Sequence, residues 1–444
     1  MKLGSISYEC HENVAGALQP KERIRSIAFE ALQLKTVCDL SYRKSADYMN
    51  DVLDRHEKGR IRPSTLEEYV ERTGREIHQA INQKADEILQ ETPGFSLEGM
   101  PVDPLAIPIE IKTPVGSRES ELQPPVELYA DVISAYNVDK EAVDQIKDVK
   151  LINDTEVSPE DCVYVCIDEI GVDKQKNTRK NGGSKDGQVV ENTVMHIHAR
   201  EGEHVITAIG MKKAFRLLIA FLLSNHLLEN RHLYFFSDGA RNIRSNIEIF
   251  FKPLCPYVHM LDWYHLEKRM TELLSMALKG AKAERHVIRN VLDRKLWVGN
   301  INDAILYLNN LDEKNIKNRK KLDEAIEYLE GKRDYIACYA LRKELEYRNS
   351  SNPAEKENDL VVAMRQKHNG MSWSTDGSGA LAVITAEFRN GGMESWISNH
   401  VIPFTMPGLE QKASWYHCCT VNRTGRNFYE RKTDENHRLA CKEC

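Results

Sequence analysis

Two carboxylates stand where a reaction could use them. Residues 163–167 (VYVCI) read as a short buried strand ending at Asp168, and residues 232–236 (HLYFF) as another, running into Ser237-Asp238-Gly239. In an open α/β sheet, residues at strand ends face the crevice where ligands bind. A carboxylate left charged there is costly without a partner. A divalent cation offsets that cost, and Mg²⁺ prefers oxygen ligands. Phosphoryl transfer gains from two such ions about 4 Å apart, one activating the nucleophile and one stabilising the leaving oxygen. A third acid is then expected on a nearby helix. The alternative is that both aspartates are turn formers, since Asp-Gly is a common turn dipeptide. Glu169 follows Asp168 directly, and strand alternation sends the two to opposite faces, so only one points at the site.

The elements that must carry these acids follow from the pattern. Residues 193–199 and 204–209 are two more strands, joined by the tight polar turn of a hairpin. Residues 212–228 and 240–251 are helices, and 257–261 is a fifth strand that runs into Asp262-Trp263-Tyr264-His265. Near-continuous apolar strands alternating with helices imply a sheet covered on both faces. Three strands, helix, strand, helix, strand is the order of a ribonuclease-H-like α/β fold.

Ahead of this core, residues 20–95 read as helical. Segments 21–37 and 41–53 are amphipathic, and a third helix opens at Arg62-Pro63-Ser64-Thr65, with Ser64 as N-cap and Glu67 completing a capping box. Helix, short turn and helix with an Arg-rich opening fit a helix-turn-helix, which makes Arg43, Lys44 and Arg62 candidate DNA contacts. A plain helical bundle with solvated charges is the alternative. Prolines crowd 98–126 and mark a linker or irregular edge strands. The expected division is a helical region 1–97, a linker 98–157, an α/β domain 158–400 with a helical insertion about 281–348, and a tail 401–444.

Two stretches resemble a known family. SDGA at 237–240 and LDWYH at 261–265, with MRQKHNGMSWSTDGSGA at 364–380, resemble motifs of Lre-type and Kra-type insertion-sequence transposases, bacterial relatives of the Mutator-like DDE enzymes. The matched regions span about 160–395, over half of the chain. The resemblance implies a metal-dependent DNA transposase whose acids fall on Asp168, Asp238 and Glu355. The third is placed by the family's spacing of about 18 residues before the motif Trp, counted back from Trp373. The family often has glycines just before this acid, where this chain has Ser350-Ser351-Asn352-Pro353-Ala354, and Glu357 competes for the role. Glu355 also suits the third position of a helix capped by Asn352.

The resemblance further implies two Mg²⁺ (or Mn²⁺) ions, terminal inverted repeats and target DNA as partners, and a homodimer or larger assembly. A ribonuclease-H-fold nuclease or resolvase without strand transfer, and a non-catalytic DNA-binding relative, are the competing readings. Asp262 and His265 fall in the matched motif as second-layer or DNA-contacting candidates, although a lone His is more often a structural hydrogen bonder. The loop holding Lys174, Lys176, Arg179 and Lys180, and the insertion's Lys320 and Lys321, are candidate phosphate contacts. A helix face laced with ion pairs explains the latter equally well.

The remaining composition narrows the class. The net charge of −6 argues mildly against nucleic acid, but local basic surfaces decide binding. No apolar stretch approaches the roughly 18 residues of a membrane helix. The N-terminus lacks the pattern of a secretory signal, so the expected compartment is the cytoplasm. The 10 cysteines form no secreted-type framework and most are expected reduced and buried. Cys418, Cys419, Cys441 and Cys444 cluster near the end, where the Cys441/Cys444 spacing suits a structural Zn²⁺. A tail of reduced thiols is the alternative.

Overall fold

The computed structural model describes residues 26–55, 59–112, 126–136, 159–175, 189–350, 352–368 and 371–406. Five strands, β1 (Cys162–Asp173), β2 (Val189–Ala199), β3 (Gly202–Ile209), β4 (His232–Ser237) and β5 (Tyr257–Leu261), form one mixed sheet in the order β3-β2-β1-β4-β5. The first three run antiparallel, and β2 turns into β3 through Arg200-Glu201, with Ala199 opposite Gly202. β4 lies parallel to β1, and β5 parallel to β4. Parallel neighbours need crossovers, which the helices Met211–Ser224 and Arg241–Phe251 provide. The chain is therefore a mixed α/β protein.

β1 is longer than its apolar run. It continues past Asp168 to Asp173, because the extended β2 supplies a hydrogen-bonding ladder as far as Val189. β4 pairs only with Cys162–Cys166. Asp168 thus sits not at the end of its strand but at the step where the parallel half of the sheet stops and β1 is held on one side only.

The sheet is preceded by α1 (Ile27–Asp39), α2 (Tyr42–Val52) and α3 (Pro63–Glu91), and by a single helical turn at Ile109–Lys112. A helix Val126–Ala135, α4, follows them, and the two crossover helices are α5 and α6. The capping box expected at Ser64 is not formed. Arg62 is the N-cap and makes no side-chain cap bond. Pro63 has no N–H to satisfy and its fixed φ suits the first helical position, so the helix starts two residues early and takes Ser64 inside it. Leu34, Val37, Val70 and Ile77 from α1 and α3 join Phe215 and Leu218 of α5 and the strand residues Val165 and Ile197 in one continuous core.

Beyond β5 come α7 (Trp263–Ala277), α8 (Lys282–Trp297), α9 (Ile301–Asn309), α10 (Arg319–Lys332) and α11 (Tyr339–Glu344). They build a second core, with Leu266 and Leu273 of α7 against Leu292, Leu308, Leu322 and Leu329. The last four of these helices fall in the stretch 281–348, where a helical insertion is expected. Buried Arg342 anchors its end to the sheet, lying 5.2 Å over the Tyr234 ring and 5.3 Å over that of Tyr347.

The chain then forms α12 (Asn352–Asn358), a π-helix Asp359–Lys367, α13 (Thr375–Asn390) and α14 (Gly392–Asn399). α13 crosses α3 at Gly74, where an added Cβ would lie 2.4 Å from Ala380 Cα. Only glycine permits that approach. Buried Arg365 of the π-helix stacks between Tyr42 and Trp373 and donates to Val37 O at 3.0 Å. It ties the first two helices to the segment that follows Glu355. Among the described residues no helix is long and apolar enough to cross a membrane. The described cysteines Cys38, Cys162, Cys166, Cys255 and Cys338 are buried, as expected.

Candidate active site

Three elements bring the acids to one end of the sheet. Asp168 comes from the stretch of β1 that pairs with β2 alone, Asp238 from the turn after β4, and Glu355 from α12, which packs on β1 and β2. Asp168 is pinned twice: Glu169 N donates to Oδ1 at 2.9 Å, and Asn358 Nδ2 donates to Oδ2 at 2.6 Å. Asp238 closes the turn by accepting from Ala240 N at 2.7 Å through Oδ1. So the turn-forming role holds for one oxygen, and among the described residues the other has no hydrogen-bond partner. Gly239 adopts φ +74°, which favours glycine, and lies under the Lys332 ammonium, which donates to its carbonyl.

Asp262 is fully buried as the N-cap of α7, accepting from Tyr264 N at 2.6 Å and His265 N at 3.3 Å. That cap aims the first turn of α7 at the site. His265 Nε2 lies 3.2 Å from Glu355 Oε1, and its Nδ1 lies 3.9 Å from Asp262. His265 and Asp238 share the wall of an open cleft of about 260 Å³, completed by Lys268, Arg269, Glu272 and Tyr328. α7 thus forms one side of the acidic site, with Tyr328 of α10 beside it.

The acids feel each other. Burial pushes the Asp168 carboxyl above its ordinary range, the Asp238 charge adds to this, and Asn358, His265 and the Glu169 N–H oppose it. Burial also raises Glu355; Asp262 and Asp168 push it further up, while His265 and Lys268 pull it down. A cluster of partly desolvated carboxylates is chemically suited to a hard divalent ion. The donor set is oxygen-rich, as Mg²⁺ or Mn²⁺ requires. Among the described residues, however, no three His, Cys, Asp or Glu side chains stand closely enough around one point to hold a single ion.

The two competing glutamates are placed elsewhere. Glu357 is buried in a forked ion pair with Arg389 of α13. Glu169 turns to the opposite face of β1 from Asp168 and accepts from Asn242 Nδ2 at 3.1 Å. Of the basic candidates, Arg43, Lys44, Arg62 and Lys320 are exposed, and Lys321 pairs with Glu324 at 2.6 Å. Lys174 bridges by its backbone to Trp373, which docks the GMSWS motif on the end of β1. Lys176, Arg179, Lys180 and the C-terminal Cys418, Cys419, Cys441 and Cys444 lie outside the described residues.

Sequence reasoning missed Asn358, Lys268, Arg269 and Tyr328. A signal existed for the first three. Asn358 is three residues after Glu355, and Lys268 and Arg269 are three and four after His265, spacings that share a helix face. Tyr328 arrives through the packing of α10 on α7, which no local pattern encodes. No family model matches the chain, and comparison with curated proteins and with solved structures gives no match.

Proposed function

We propose that the chain is a DDE-type transposase of a bacterial insertion sequence, with Asp168, Asp238 and Glu355 as its catalytic acids. The observation that carries this reading is the gathering of three acids from β1, the turn after β4 and α12 around His265, beside an open cleft. Supporting it, the strand order β3-β2-β1-β4-β5, with three antiparallel strands followed by parallel ones, is compatible with a ribonuclease-H-like core. The SDGA, LDWYH and GMSWS motifs each touch this end of the sheet.

In this reading the carboxylates would hold Mg²⁺ or Mn²⁺ between them without all three converging on one ion, and the metal would supply an activated nucleophile and a stabilised leaving oxygen. His265 keeps the Glu355 carboxylate oriented toward the cleft. Lys268 and Arg269 place positive charge on the cleft wall where a phosphodiester approaches. Lys332, held on the Gly239 carbonyl, keeps a cation beside Asp238.

Mg²⁺- or Mn²⁺-dependent cleavage of DNA carrying the element's terminal repeats tests the reading. The wild type is expected to nick at the repeat ends and to join the product to target DNA, and Asp238→Asn to do neither while still binding the repeats. Repeat binding by both proteins with cleavage by neither would overturn the catalytic assignment. Cleavage without joining would move it to a nuclease.

A further inference from the structure

We propose that Asn358 is a positioning residue of the acidic site: it holds Asp168 in place for a divalent cation and keeps its own carbonyl oxygen for a water bound to that cation. The inference rests on the function proposed above and deepens it. Asp168 stands where β4 no longer flanks β1, so the sheet alone does not fix its carboxylate on that side. Asn358 supplies the missing restraint, a 2.6 Å hydrogen bond from Nδ2 to Oδ2. A carboxylate only accepts, so the amide nitrogen must face it.

Three features separate this residue from an ordinary buried amide. It lies one turn beyond Glu355 on α12, so a single helix sets both the third acid and the clamp on the first. It is the last residue before the π-helix Asp359–Lys367, and widened turns of this kind recur at functional sites. Among the described residues its buried Oδ1 has no hydrogen-bond partner. An orphaned buried acceptor is costly and calls for an explanation. A hydrated cation between Asp168 and Glu355 provides one, because its waters donate.

Metal-bound carboxylates depend on hydrogen bonds from outside the coordination sphere, and loss of such a bond weakens metal binding by about 10–100-fold. The test is Mn²⁺ binding to the full chain without DNA, read from the EPR signal of the free ion, beside thermal melting. Asn358→Ala is expected to weaken Mn²⁺ binding by that factor at an unchanged melting temperature. In cleavage it raises the half-saturating Mn²⁺ concentration far more than it lowers the maximal rate. Asn358→His carries an N–H donor on the atom equivalent to Nδ2 and is expected to restore most of the affinity; it also serves as the test if the alanine variant does not fold. If wild type and both variants bind Mn²⁺ equally, the positioning role is overturned while the proposed function stands. If the wild type binds no Mn²⁺ at millimolar concentration, the proposed function fails and takes this inference with it.

Discussion

Glu355 and Glu387 are both carboxyls that burial pushes upward, yet their surroundings differ in kind. Glu355, on α12, shares its space with Asp168, Asp262 and His265 beside an open cleft. Glu387, on α13, is sealed against β3. Asn390 Nδ2 donates to it at 3.3 Å, Gly392 is so close that an added Cβ would lie 2.2 Å from Oε2, and His204 and Phe404 line the small void beside it. Among the described residues its Oε2 has no hydrogen-bond partner, and burial raises the carboxyl to about 8. A perturbed carboxyl therefore does not by itself mark a reaction site. What separates the regions is convergence with other charged groups and an opening to solvent. Glu357 is a third case, on the same helix as Glu355 but with its charge answered by Arg389.

Isosteric Glu→Gln changes turn this contrast into measurements. The largest effect is expected at Glu355. Glu355→Gln should lower metal-dependent cleavage by more than the roughly 100-fold that loss of an outer hydrogen bond costs. Its melting temperature should hold or rise, because the lost charge is repelled by Asp168 and Asp262. A drop in stability with cleavage intact would remove Glu355 from the site. Glu357→Gln should show the reverse. Breaking a buried ion pair on one side costs about 3 kcal/mol or more, seen in chemical denaturation, while the folded fraction keeps its Mn²⁺ dependence. Loss of cleavage at unchanged stability would make Glu357 the third acid instead.

These assignments show what a sequence carries. Local and periodic features were legible: β5 at Tyr257–Leu261, the β2–β3 turn, and Asp238 directly after β4. The split between Asp168 and Glu169 was legible too, because strand alternation is purely local. The continuation of β1 to Asp173 was not, since it depends on β2 offering a ladder beyond the apolar run. Nor was the fate of Glu357, which is settled by Arg389 arriving from a helix 32 residues along the chain. Ser64 lost its expected cap because Pro63 claimed the first helical position. The residues that sequence alone could not reach, such as Tyr328, owe their place to packing between elements far apart in the chain.

The smallest expected effect concerns pH and belongs to Glu387. Its folded value of about 8 stands above the ordinary carboxyl value of 4.5, so the folded state holds a proton that the unfolded chain releases. A raised carboxyl contributes its full stability below the unfolded value, and that contribution is lost as pH climbs through the folded one. The window is thus pH 4.5 to 8, with a slope of at most about 1.4 kcal/mol per pH unit. Glu387→Gln carries no proton to lose and should flatten the decline in melting temperature between pH 5 and 8. Activity per folded molecule should stay unchanged, because Glu387 sits against β3 and not in the acidic cluster. A pH profile identical in variant and wild type would mean that Glu387 finds a partner on ionising; His204, which lines the same void, is a group able to supply it. A variant that instead lost metal-dependent cleavage would join the two regions that this comparison holds apart.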